Sequence, residues 1–149
     1  LGENNLVVLG FSPEDRKQYG LLEIEGDSVR RIIEWKYWRE YPEHEQRLLT
    51  ICNSGIYAAH KKELIRYLDI LGERPHVVLK ERDGEMIKIE EYFITDLIEL
   101  MQHDGIKVGY ALVEDEHEVM GIDDRQSLLK AQKLFELASR KSVPRGDSE

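Results

Sequence analysis

Residues 50–58 read TICNSGIYA, and residues 60–71 follow at once as HKKELIRYLDIL. The first run is rich in β-formers, with Asn53-Ser54-Gly55 interrupting it, and its composition predicts a strand. The second repeats apolar residues at helical spacing, with Leu64, Ile65, Leu68 and Leu71 on one face and Gly72 as the stop. A strand handing directly to an amphipathic helix is a building unit of layered α/β folds.

The flanking sequence extends the pattern. On the N-terminal side, residues 6–11 (LVVLGF) form a short apolar run that reads as a buried strand. Residues 12–20 are polar, contain Pro13 and read as a loop. Residues 21–25 and 28–35 flank Gly26-Asp27 as a β-hairpin, and Pro42 opens a short helix with Glu43 and Glu45 in its first turn. On the C-terminal side, residues 77–79 and 86–89 flank Arg82-Asp83-Gly84-Glu85 and predict a second hairpin. Residues 92–103 predict a helix with Ile94, Leu97, Ile98 and Met101 aligned, ended by Gly105. Residues 106–113 read as a strand, 114–118 as a solvated acidic turn, and 124–139 as a helix burying Leu128, Ala131, Phe135 and Ala138. Strands and helices interleave, so the expectation is a layered α/β fold, then a polar disordered tail at 140–149.

Charge and composition narrow the partners. With 30 acidic against 21 basic residues the net charge is −9, the wrong sign for binding a nucleic-acid backbone. Nucleotides stay open, since one phosphate site needs only a few local cations or backbone N–H groups. No stretch approaches the ~20 apolar residues of a membrane span, so no membrane partner is expected. Cys52 is the single cysteine, which excludes an intrachain disulfide and fits a reducing cytoplasm. The histidines His44, His60, His76, His103 and His117 lack metal-ligand spacing and read as surface or capping residues. Trp35 and Trp38 suit covering a core or a subunit interface, or stacking on a base or sugar.

Five segments follow one another: Tyr19-Gly20, Ile33-Glu34-Trp35-Lys36, Asn53-Ser54-Gly55-Ile56-Tyr57, Glu91-Tyr92-Phe93-Ile94-Thr95-Asp96 and Gly121-Ile122-Asp123-Asp124-Arg125. In order and spacing they resemble the bacterial N-acetylglucosamine-1-phosphate uridyltransferases, which make UDP-N-acetylglucosamine within the sugar-nucleotidyltransferase superfamily. The resemblance runs from about residue 6 to 135. It is to the C-terminal, sugar-binding half of a Rossmann-like nucleotide-diphospho-sugar transferase domain, which implies for residues 1–139 an α/β fold with a mixed sheet, flanking helices and an added β-hairpin.

The resemblance implies roles residue by residue. Gly20 matches a glycine whose backbone meets the sugar, where a Cβ would crowd the ligand. Glu34 matches a carboxylate accepting hydrogen bonds from sugar hydroxyls, and Asn53 an asparagine that holds the sugar through its amide. Tyr92 and Thr95 fall in the segment lining the sugar-phosphate pocket. Asp123 takes the place of an asparagine that coordinates Mg²⁺, for which a hard carboxylate oxygen is suited. The implied partners are UTP and a sugar 1-phosphate, N-acetylglucosamine 1-phosphate first. The family's phosphate loop, catalytic Lys and Arg and base contacts precede the matched region. No catalytic residue is therefore expected here, and the chain alone is expected to be inactive.

Three departures accompany the resemblance: Asp123 for asparagine, the aromatic stretch Tyr37-Trp38-Arg39-Glu40-Tyr41, and the second hairpin where the family has a short polar loop. Structural readings stand beside the functional ones. Asp123 or Asp124 suits the N-cap of the last helix, with Gln126 completing a capping box from Asp123. Asn53 suits a strand interruption, and Glu34 a solvent-facing strand position. The functional alternatives are a nucleotidyltransferase for another hexose 1-phosphate, or a non-catalytic binding or assembly domain. The latter would self-associate through residues 35–41 and the second hairpin.

Overall fold

Leu6–Phe11 forms the strand β1, whose residues alternate between buried and half-buried over most of its length. The computed structural model describes residues 1–141. β2 (Leu21–Glu25) and β3 (Ser28–Ile33) form the first hairpin, β4 is Cys52–Ala59 and β7 is Val108–Leu112. These five strands make one mixed sheet in the order β3-β2-β4-β1-β7, with β1 parallel to β7 and the other pairings antiparallel. The sheet curls until its outer strands approach each other. Ser28 Oγ on β3 donates to the Val108 carbonyl on β7 at 3.0 Å, and Lys107 pairs with Asp27.

Two helices seal the curl. α3 (Lys61–Gly72) contributes Tyr67 and Leu71, and α4 (Asp96–His103) contributes Leu97, Ile98 and Met101, all buried with Leu6, Val8, Leu22, Val29, Ile32 and Val108. Each such side chain contributes about 1.5–3 kcal/mol through its burial. A second apolar cluster joins Phe11, Leu21, Ile33, Trp38, Leu49 and Cys52 under the short helices α1 (Trp35–Trp38) and α2 (Glu43–Gln46). Arg16 fastens the loop before β2 to this layer: its guanidinium donates to the Gln46 and Leu49 carbonyls and lies over the Trp38 ring.

The second hairpin, β5 (His76–Arg82) and β6 (Glu85–Glu91), is a separate two-stranded sheet. Asp83 and Gly84 both take positive φ, 54° and 83°, the conformation a two-residue hairpin turn requires. The last helix, α5, spans Arg125–Lys141. Among the described residues no helix is long and apolar enough to cross a membrane.

Several expectations need correction. β3 ends at Ile33, two residues early, because the chain turns into α1. α4 begins at Asp96 rather than 92, because β6 holds the chain extended through Glu91 and leaves Ile94 43% exposed. On α3 the buried stripe is Leu64, Tyr67 and Leu71, while Ile65 and Leu68 face out; the Tyr67 ring fills the core as its hydroxyl donates to Asp104 at 2.9 Å. On α5, Leu128 and Ala138 are exposed and Phe135 is 75% exposed, with only Ala131 half-buried. An amphipathic period announces an apolar stripe but not the element that covers it. α5 runs two residues past its expected end, and residues 142–149 of the expected tail lie outside the described residues.

Candidate functional site

The interruption expected at Asn53-Ser54-Gly55 is a bulge inside β4. Opposite it, β1 advances only from Val8 to Gly10 while β4 runs from Tyr57 to Asn53. Ser54 Oγ donates to the Leu9 carbonyl of β1 at 2.7 Å and accepts from the Ile56 N–H at 3.2 Å, so polar groups on both sides of the bulge stay partnered. The bulge brings Asn53 and Tyr57 together. Asn53 Nδ2 donates to the Tyr57 hydroxyl at 2.8 Å, and Asn53 Oδ1 accepts from the Gly55 N–H at 3.0 Å. Both atoms keep capacity for one further bond each, as a sugar contact requires.

Gly20 lies beside this pair, its carbonyl accepting from the Asn53 N–H at 2.8 Å. A Cβ on Gly20 would sit 3.0 Å from Ile32 Cγ2 and 3.6 Å from Glu34 Oε2, so the position has little room for a side chain. Glu34 leaves the end of β3 in extended conformation, half-buried, and makes no cap bond to α1. Its carboxylate is held from the other side by Thr95, whose hydroxyl donates to Oε1 at 3.1 Å. Thr95 is 9% exposed and precedes α4 without capping it. Burial pushes the Tyr57 phenol above its usual pKa; the Asn53 hydrogen bond opposes this, and the charge of Glu34 reinforces it.

Gly20, Glu34, Asn53 and Thr95 thus gather around one end of the sheet, with Tyr57 among them. Asp123 is reached through an intermediary. Tyr19 stacks edge-on against Phe11, receives the Gly121 N–H at 3.3 Å on its hydroxyl, and offers its carbonyl to Trp38 Nε1. The Asp123 carboxylate folds over Gly121, where a Cβ would meet it at 2.8 Å. The last helix is capped by Asp124: its Oδ1 accepts from the Ser127 N–H at 2.7 Å, and Ser127 Oγ accepts from the Asp124 N–H at 3.1 Å. The box is therefore Asp124–Ser127 rather than Asp123–Gln126, and Asp123 is left exposed with no capping bond. Tyr92 is not drawn into the group; it is 47% exposed and its hydroxyl lies 3.5 Å from Glu90.

Two open clefts take in three of these residues, Glu34, Thr95 and Asp123, and Gly20 and Asn53 line neither. Glu34 and Thr95 line one of about 490 Å³ together with Lys36, His76, Phe93 and Asp96. Asp123 lines another of about 410 Å³ with Lys17, Tyr19 and Ser127. None of the clefts is lined by Glu34, Asn53 and Asp123 together, and clefts of about 520 and 620 Å³ elsewhere contain none of the six. Among the described residues no three His, Cys, Asp or Glu side chains gather as a metal cage. A single carboxylate at Asp123 suits a Mg²⁺ ion that takes its other ligands from phosphates and water. Phe93, His76 and Tyr57 enter the neighbourhood of the site without having been singled out. The aromatic pair Tyr92-Phe93 marked the place, but only the exit angle from β6 decides which ring turns inward.

No family model matches the chain. In sequence it is 31% identical over 137 residues to the bifunctional protein GlmU of Ruegeria pomeroyi, covering 92% of this chain and 27% of that protein. The chain is similar to GlmU over one segment of that protein. The GlmU of Maricaulis maris is 32% identical over 143 residues, and that of Campylobacter lari 28% over 141. The chain spans under a third of these GlmU proteins, 28% and 29% of their lengths. In structure it is similar to the uridine diphosphate N-acetylglucosamine pyrophosphorylase of Trypanosoma brucei, with a TM-score of 0.61 at 14% identity, over 98% of this chain and 33% of that one. The mixed sheet with flanking helices is thus the fold of one part of a nucleotide-sugar pyrophosphorylase.

Proposed function

We propose that this chain is the sugar-binding segment of a nucleotidyltransferase that forms UDP-N-acetylglucosamine and pyrophosphate from UTP and N-acetylglucosamine 1-phosphate. The observation that carries the reading is the meeting of Gly20, Glu34, Asn53 and Thr95, drawn from four separated segments, at one end of the sheet. The GlmU relationship and the pyrophosphorylase fold support it.

In this reaction a phosphate oxygen of the sugar 1-phosphate attacks the α-phosphorus of UTP, and pyrophosphate leaves. The chemistry asks for alignment and charge neutralisation rather than a covalent protein intermediate. Glu34, oriented by Thr95, accepts from sugar hydroxyls; Asn53 uses the spare donor and acceptor of its amide; Gly20 lets the ligand approach the backbone. Asp123 would hold a Mg²⁺ ion, which supplies neutralisation of phosphate charge when bound. On this reading residues 1–139 are the C-terminal, sugar-binding half of the domain, and this stretch does not transfer nucleotide alone.

Calorimetric titration with N-acetylglucosamine 1-phosphate tests the reading. Binding by the protein, lost in Glu34→Ala and Asn53→Ala, is the expected result. Equal heats from wild type and both variants would overturn it.

A further inference from the structure

The β5–β6 hairpin pairs seven residues with seven, yet it joins no other sheet. A two-stranded hairpin is marginal alone, so its attachment matters. Contacts at its base involve His76, the first residue of β5. His76 Nε2 lies 2.6 Å from Asp96 Oδ2, and its ring packs 4.8 Å from that of Phe93 at a 56° tilt. Phe93 is itself covered by the Lys36 ammonium at 5.1 Å. His76, Phe93, Asp96 and Lys36 line the 490 Å³ cleft together with Glu34 and Thr95, while Gly20 and Asn53 lie outside its lining.

A histidine in this setting has an assignable role. Asp96 engages Nε2 and fixes the ring plane, which leaves Nδ1 for a ligand at little further entropic cost. We propose that His76 is a specificity-determining contact of the cleft, set in place by the hairpin, and that it discriminates among hexose 1-phosphates by their ring substituents. A site that hydrogen-bonds a substrate group rejects the analogue lacking it far better than an apolar wall does. The proposal rests on the reading of Glu34 and Thr95 as sugar contacts.

The test is titration with two probes, N-acetylglucosamine 1-phosphate and glucose 1-phosphate, against wild type, His76→Ala, and a variant with residues 77–90 replaced by a short Gly-Ser turn. His76 is exposed, so its substitution leaves the fold intact even if the hairpin replacement does not. The expected result is that His76→Ala changes the ratio of the two dissociation constants about tenfold. Binding of both probes with the ratio within twofold of wild type would overturn the role of His76 while leaving the sugar site standing. Failure of wild type to bind either probe would remove the site and this role together.

Discussion

The Thr95 hydroxyl donates a 3.1 Å hydrogen bond to Oε1 of Glu34, tying the residue before α4 to the residue after β3 across 61 positions of sequence. Thr95 is among the few polar side chains that the fold buries, and it spends its hydroxyl on a half-exposed carboxylate instead of on its own helix. That choice costs the helix a cap and gives Glu34 a fixed orientation. Thr95→Val keeps the shape and removes the donor. We expect the dissociation constant for N-acetylglucosamine 1-phosphate to rise about three- to tenfold, with Thr95→Ser close to wild type. Titration of the two variants checks this; an unchanged constant in Thr95→Val separates Thr95 from binding.

Asn53 and Tyr57 act as a pair across the bulge. Tyr57→Phe removes the partner of Asn53 Nδ2, and we expect a stability loss of about 1 kcal/mol in chemical denaturation. On the proposed function, Asn53→Ala in a full nucleotidyltransferase should raise KM for the sugar phosphate. A KM equal to wild type excludes Asn53 from the site.

The adjacent aspartates should separate cleanly. The Asp124 carboxyl is held below its usual pKa by the backbone N–H of Ser127 and then by the Ser127 hydroxyl. A depressed pKa means that the stabilisation is present above the ordinary carboxylate range and is lost as pH falls through the lowered value. The protection factors of the amides at residues 125–128, relative to intrinsic exchange at the same pH, should therefore fall below about pH 4, and Asp124→Ala should show that loss at neutral pH. Asp123→Ala should leave exchange unchanged and lower the response to Mg²⁺. Equal fraying in both variants would contradict the division of labour.

Cys52 is fully buried, and burial pushes its thiol up to about 11. The thiolate is the reactive form, so the native protein should resist a thiol reagent at pH 8 and react fully once denatured. Rapid labelling of the native protein would refute this.

Met101 sits at 0% exposure where α4 meets the curled sheet. Met101→Ala should destabilise by about 2–5 kcal/mol, through lost transfer energy and the cavity left behind. Phe135→Ala, at 75% exposure on α5, should change denaturation by less than about 0.5 kcal/mol.

Local chemistry written in neighbouring residues was legible before any coordinates. Strands β1 and β2 match their expected bounds, and the Asp83-Gly84 turn forms as its residue types require. The interleaved strands and helices and the second hairpin follow from runs of period two and period 3.6 and from turn residues, while the mixed sheet was implied by the resemblance. The resemblance put Gly20, Glu34, Asn53, Tyr92, Thr95 and Asp123 in one site; Gly20, Glu34, Asn53 and Thr95 lie in contact, whereas Tyr92 is exposed and Asp123 lines a different cleft from Glu34.

Long-range packing decided the rest. Which of Tyr92 and Phe93 enters the cleft depends on how β6 leaves the hairpin, and His76 becomes a wall residue only because Asp96 and Phe93 lie across from it. Asp123 and Asp124 have the same side-chain chemistry, yet backbone geometry at the start of α5 gives the cap to Asp124 alone. Periodicity is a property of a segment, whereas burial, partnership and convergence are properties of the pairs that folding creates.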